Sequence, residues 1–228
     1  MDCRTIRGVR HPLITTALRA AAALIAAYAS VAAADDSTIS TSSVSTAATP
    51  PATFIVPNWH AHAQMTTDWC WAASAQSIMH TLGGDVEQCA QANRAFPQAA
   101  PRPECCSTPT PNACINPAWP DFGFFGFSAT PHDGPLTFEE IKREIGLNHR
   151  PFAFTWNWDG ADTAHMMVAF GYRDFPGSQV VIIFDPLPPN VGQVKTISYA
   201  EYREVPGDHS HSLDYYAIRP ATTTAAQP

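Results

Sequence analysis

The chain changes its hydrophobic period part-way along. From Asp68 to Leu82 the apolar positions Trp71, Ala75, Ile78 and Leu82 recur every three or four residues, the stripe of a helix that turns one face to a core. Asp68 is the expected N-cap, since a short carboxylate can accept from the unpaired amides of a first turn. Gly83-Gly84 stops that helix, and Asp85 can cap a second one running to about Phe96. Thr137 opens a short third helix through Phe138, Ile141 and Ile145, ending at Gly146. Beyond it the pattern becomes that of strands, at Phe152–Trp156, His165–Tyr172, Val180–Phe184, Val194–Tyr199 and Tyr215–Ile218. Helices followed by strands predict an α+β fold with a largely antiparallel sheet.

The segment between Pro97 and Pro135 fits neither period. It holds nine prolines, three cysteines and the run Phe122 to Phe127 (FGFFGF). A loop of this length inside a compact domain needs cross-links or a function. The aromatic run can line a substrate subsite or form a hydrophobic cluster under the loop.

Composition narrows the function classes. The 228 residues are 45% hydrophobic and 14% charged, with a net charge of −7. That suffices for one substantial core, whereas nucleic-acid binding would need a basic stripe that is absent from the sequence. Residues 1–34 have the three parts of a secretory signal: Arg4, Arg7, Arg10 and Arg19, an apolar stretch from Leu18 to Ala29, and the small residues Ala32-Ala33-Ala34. The apolar stretch is short for a bilayer span, so a secreted or periplasmic protein with no stable membrane insertion is expected. Residues 35–53 form a Ser/Thr-rich leader too small and polar to bury a core. The folded domain is expected over residues 54–220, followed by a polar tail at 221–228, and the protein is expected to be monomeric.

Export changes the cysteine arithmetic. Cys3 leaves with the signal, and the remaining five cysteines are an odd number, so one thiol stays unpaired in an oxidising compartment. Cys89, Cys105, Cys106 and Cys114 lie on the second helix and the proline-rich loop, where staples are needed. A bridge between adjacent Cys105 and Cys106 would be strained, so one of them is expected to pair with Cys89 and the other with Cys114. Cys70 stands apart, near the start of the first helix. There unpaired amides and the positive end of the helix dipole favour thiolate over thiol.

Three further residues complete a candidate site. His165 begins a strand, and the hairpin folding about residues 175–177 returns Asp185 to its neighbourhood, where a carboxylate would fix the imidazole's tautomer. Asp162, three residues before His165, is the rival orienting group. Gln64 lies six residues before Cys70, so its amide and the Cys70 N–H can form a two-donor oxyanion hole.

The run Gln64-Met65-Thr66-Thr67-Asp68-Trp69-Cys70-Trp71-Ala72-Ala73-Ser74 resembles the active-site helix of papain-like cysteine proteases, in particular the bacterial branch of AvrRpt2-type effectors and C39-like peptidases. Gln88-Cys89, Cys105-Cys106, Cys114, Ala164-His165 and Ile183-Phe184-Asp185-Pro186 are similar to that branch as well. The resemblance spans roughly residues 58 to 187. It implies a helical lobe carrying the nucleophile, packed on a largely antiparallel sheet lobe. It also implies peptide hydrolysis through Cys70, His165 and Asp185, with Gln64 at the oxyanion. Thr67-Asp68-Trp69-Cys70-Trp71 differs from the Cys-Gly-Ser-Cys-Trp of papain, so the disulfide that anchors that loop in papain has no counterpart.

A protein or peptide substrate and no cofactor are therefore expected. No nucleotide-binding glycine loop is present. The same residues could serve a thiol acyltransferase or amidase, and an exported binding module that kept the scaffold without activity is the reading from another class. His60-Ala61-His62 and His209-Ser210-His211 raise a metal reading, disfavoured because no carboxylate or cysteine is fixed beside either pair.

Overall fold

The computed structural model describes residues 48–97 and 104–222. The signal segment 1–34, residues 35–47 of the leader and residues 223–228 of the tail lie outside the described residues. The fold is α+β. Strand β1 (Thr53–Ile55) precedes helix α1 (Cys70–Thr81) and helix α2 (Gln88–Ala95), and β2 (Phe127–Asp133) leads to the short α3 (Phe138–Ile141). Strands β3 (Phe152–Trp158), β4 (Ala164–Phe175), β5 (Ser178–Asp185) and β6 (Gln193–Ser198) follow, then α4 (Tyr199–Arg203), β7 (Glu204–Val205) and β8 (His209–Pro220).

The sheet runs β2-β8-β3-β4-β5-β6, with β1 on β4 and β7 on β8, and every pairing is antiparallel. Side chains that alternate along its strands feed two cores. Met166 and Val168 of β4, Ala153 of β3 and Leu213 and Tyr215 of β8 pack with α1, α2 and the cross-linked loop. Met167 and Ala169, with Phe152, Phe154 and Trp156, join α3, α4 and Tyr172 in the second. His165 has the parity of Met167 but stands near the strand's beginning.

The helices begin later than the sequence pattern suggests. The N-cap of α1 is Trp69, with no side-chain bond to the first turn, while Asp68 sits in the left-handed region at φ 63°. Asp tolerates that conformation better than most residues, and the turn it makes brings Cys70 to the first helical position. Helix α2 is preceded by Glu87 and starts at Gln88, not at Asp85. Thr137 caps α3 as expected, in a reciprocal box with Glu140, and the chain continues as a π-helical turn through Lys142–Leu147.

Other elements depart from the expected pattern, the short β1 and β7 among them. Strand β2 falls inside the proline-rich stretch, where it is tolerated because β2 is an edge strand and Pro131 removes no essential ladder bond. Helix α4 begins at Tyr199, capped by Ser198 through the Glu201 amide, so the strand expected to run through Tyr199 ends one residue earlier. Strand β8 begins at His209, six residues before the expected Tyr215.

The cysteine staples hold the proline-rich loop. Cys89 pairs with Cys106 and Cys105 with Cys114, which resolves the open choice between the two adjacent cysteines. Phe122 and Phe127 of the aromatic run are buried in the first core, so those two rings serve the cluster under the loop. Among the described residues no helix is long and apolar enough to cross a membrane.

Candidate active site

The site forms where the start of α1 meets the start of β4. One turn of the helix grips a single residue of the strand: the Met166 N–H donates to Cys70 Sγ at 3.5 Å, and the Ser74 hydroxyl donates to Met166 O at 3.1 Å. Residues four apart share a helix face, so Cys70 and Ser74 can reach the amide and the carbonyl of one residue. His165 immediately precedes Met166 in β4, so its backbone adjoins the amide that reaches Cys70 Sγ.

Asp185 arrives through the β4–β5 hairpin. Its turn is Pro176-Gly177, with Gly177 at φ 78°, and Phe175 pairs with Ser178. Continued without interruption, that register would set Asp185 against Val168, on the face of Met166. A bulge between Ala169 and Gly171 inserts one extra residue, so Val168 pairs with Phe184 instead. The next step then sets Asp185 against Met167, on the same face as His165 and diagonal to it. A one-residue slip reverses the face of every later side chain, and here the bulge makes that reversal.

The resulting contact is close. His165 Nε2 lies 2.6 Å from Asp185 Oδ1, and both side chains are buried. His165 Nδ1 is also buried and has no hydrogen-bond partner. The carboxylate thus binds one ring nitrogen and leaves the other available for proton transfer. Of the two acidic candidates it is Asp185 that makes this bond.

Asp185 is itself secured by two further donors. The Leu187 N–H donates to Oδ1 at 2.9 Å, and Lys195 Nζ to Oδ2 at 2.7 Å. Burial pushes the carboxyl upward. The hydrogen bond and charge of His165, then Lys195 and the Leu187 amide, outweigh it and bring the pKa down from 3.8 to about 2. Lys195 was not among the expected site residues. It sits diagonally across β6 from Asp185, with Ile183 as its direct partner, and such a cross-strand relation has no local signature.

Gln64 is 1% exposed and held through both of its backbone groups, by Gln64 N–H to Pro186 O at 3.1 Å and Asn190 N–H to Gln64 O at 2.8 Å. Its side-chain Nε2 donates to Thr66 O at 2.8 Å, which occupies one of the two amide hydrogens and leaves the second available. Gln88 supports the same segment, accepting from Met65 N–H at 2.9 Å and donating to Ala63 O at 2.9 Å. The Cys70 N–H, at the first position of α1, needs no partner within the helix.

None of the described cysteines is free, and Cys70 is disulfide-bonded. The expectation of one unpaired thiol at Cys70 is therefore not met: the candidate nucleophile is bonded through its sulfur in this structure. Cys70 and His165 are each 2% exposed, so the site is closed.

The histidines of the two alternating pairs have other neighbours. His60 stacks on His80, and His62 Nε2 lies 2.7 Å from His80 Nδ1. Contrary to the expectation, carboxylates are fixed beside the second pair: His209 Nδ1 lies 2.7 Å from Asp208 and His211 Nε2 2.8 Å from Asp214, while the other ring nitrogens meet the Glu201 and Tyr202 carbonyls. Among the described residues no group of three or more His, Cys, Asp or Glu is arranged to hold a metal ion.

Comparison with known protein families and with curated proteins finds no match for the chain. What it can do is read from its own residues and their geometry.

Proposed function

We propose that the chain is an exported cysteine peptidase with a papain-like arrangement, hydrolysing peptide bonds through Cys70, His165 and Asp185. The observation that carries this reading is the His165 ring, bound to Asp185 at Nε2 and unpartnered at Nδ1, on the residue whose following amide reaches Cys70 Sγ. A buried imidazole with one committed nitrogen and one uncommitted nitrogen suits a general base paired with a thiol.

In this reading the Cys70 thiolate attacks the peptide carbonyl carbon. Its electrons pass to the carbonyl oxygen, which the Cys70 N–H and the second hydrogen of the Gln64 amide stabilise, an effect of about 3 to 4 kcal/mol for one such donor. His165, protonated at Nδ1, gives that proton to the leaving amine as the C–N bond breaks. Water then attacks the thioester while His165 takes one of its protons, and Cys70 departs as thiolate. Asp185 holds the ring in place throughout.

The reaction needs Cys70 as thiolate, so a thiol reductant has to open its disulfide by exchange, its own thiols becoming the new disulfide, and the closed site has to admit substrate. Two disulfides on the Cys89–Cys114 region favour an oxidising compartment and hence export. The test is incubation of the purified chain, mildly reduced, with a peptide library, with and without an epoxysuccinyl thiol inhibitor, read by mass spectrometry. Inhibitor-sensitive new amine termini are expected. Isopeptide products would instead indicate acyl transfer, and no product with a fully reduced Cys70 would leave a binding module.

A further inference from the structure

We propose that Lys195 is a positioning residue of the candidate site, acting through Asp185 to fix the His165 ring. This rests on the cysteine-nucleophile reading above and adds a fourth side chain to it. His165, Asp185 and Lys195 lie on three consecutive strands, β4, β5 and β6, and form a row across the sheet. Each oxygen of the carboxylate has a separate duty. Oδ1 accepts from the Leu187 amide and meets the imidazole, while Oδ2 is taken by the ammonium. With both oxygens engaged, the carboxylate cannot turn about its final bond without breaking a charge-assisted contact.

The surroundings make that restraint necessary. Asp185 and Lys195 both line a cavity of about 420 Å³, with Thr67, Leu187 and Gln193. Without the ammonium, Oδ2 would face water, and the carboxylate would be free to exchange its ring contact for solvent. Lys195 is also on an edge strand, where lysine commonly serves to discourage pairing with another chain. That role requires only a charge directed at solvent. Here the side chain, 45% exposed, is turned back to a carboxylate two positions off its direct cross-strand partner.

Alkylation of Cys70 provides a test independent of peptide hydrolysis. The mildly reduced full chain is treated with iodoacetamide across a pH series, and modification is read on the Cys70 peptide by mass spectrometry. Removing a nearby cation raises both limbs of the pH–rate profile, so Lys195→Met should move them up by about half a pH unit, and Lys195→Arg should restore them. Hydrolysis of a cleaved peptide should fall about threefold to fivefold in kcat with KM little changed. An alkylation profile in Lys195→Met that superimposes on wild type, with the circular dichroism spectrum retained, overturns the role of Lys195 alone. A wild-type profile matching that of the urea-unfolded chain overturns the nucleophile reading, and this inference with it.

Discussion

Replacing Asp185 by Asn isolates a charge and leaves the side chain's shape. The isosteric amide can still accept from the Leu187 N–H and meet the His165 ring through its oxygen, but it presents an NH2 group to the Lys195 ammonium, donor against donor. The native carboxyl is 9% exposed and titrates at about 2 instead of 3.8. A difference of that size is worth about 2 kcal/mol of folding stability at neutral pH. Because the folded-state pKa is the lower one, this contribution is complete above about pH 4 to 5 and is lost as the pH falls toward 2. Urea denaturation of the disulfide-intact chain, wild type against Asp185→Asn, at steps from pH 7 to pH 3, is the assay. The variant should be less stable by about 2 kcal/mol at pH 7, with the gap narrowing below pH 4. A gap that stays constant with pH, or widens on acidification, would refute the argument that His165, Lys195 and the Leu187 amide hold Asp185 ionised.

Other consequences are open to equally direct checks. Removing the Cys105–Cys114 bridge by a double substitution to Ala frees a loop with a sequence separation of 9, and should cost about 2 to 3 kcal/mol in a urea titration. Glu144 is 4% exposed and accepts from both Nε and Nη2 of Arg150, from Asn148 and from the Ala217 N–H; Glu144→Gln should cost about 3 kcal/mol and lower the melting temperature by several degrees. Burial, then the neighbouring His80, lowers the pKa of His62, opposed by Glu87 and Asp85. Its contribution to stability is therefore present above about pH 6.5 and lost as the pH falls through the lowered value. Urea midpoints of wild type should drop across that window more steeply than those of His62→Gln, and parallel curves would count against the effect.

Much of the candidate site is legible in the chain because it depends on local signals. The helical stripe after Asp68 gives α1, the turn at Pro176-Gly177 gives the hairpin, and together they bring Cys70, His165 and Asp185 into one region. The bulge at Phe170 is not fixed by the local pattern, since the isolated Gly171 in the run Val168 to Tyr172 is compatible with a bulge or with an unbroken strand, yet it puts Asp185 on the face of His165. Lys195 escapes for the same reason: its contact crosses to a neighbouring strand and two positions along. A different case is α4, whose Ser198-x-x-Glu201 spacing is a capping signal, outweighed by the β-favouring residues before it. Asp68 has the chemistry of an N-cap but occupies a left-handed turn one residue too early, and only the backbone angle separates these roles.

Covalent trapping of the nucleophile tests the central claim most directly. The mildly reduced full chain is incubated with an epoxysuccinyl inhibitor, and the adduct is mapped by mass spectrometry in wild type and in His165→Ala. The account predicts a single adduct on Cys70 Sγ, formed much more slowly in the variant. An adduct on another cysteine, none at all with Cys70 fully reduced, or labelling of Cys70 at the same rate without His165 would contradict it.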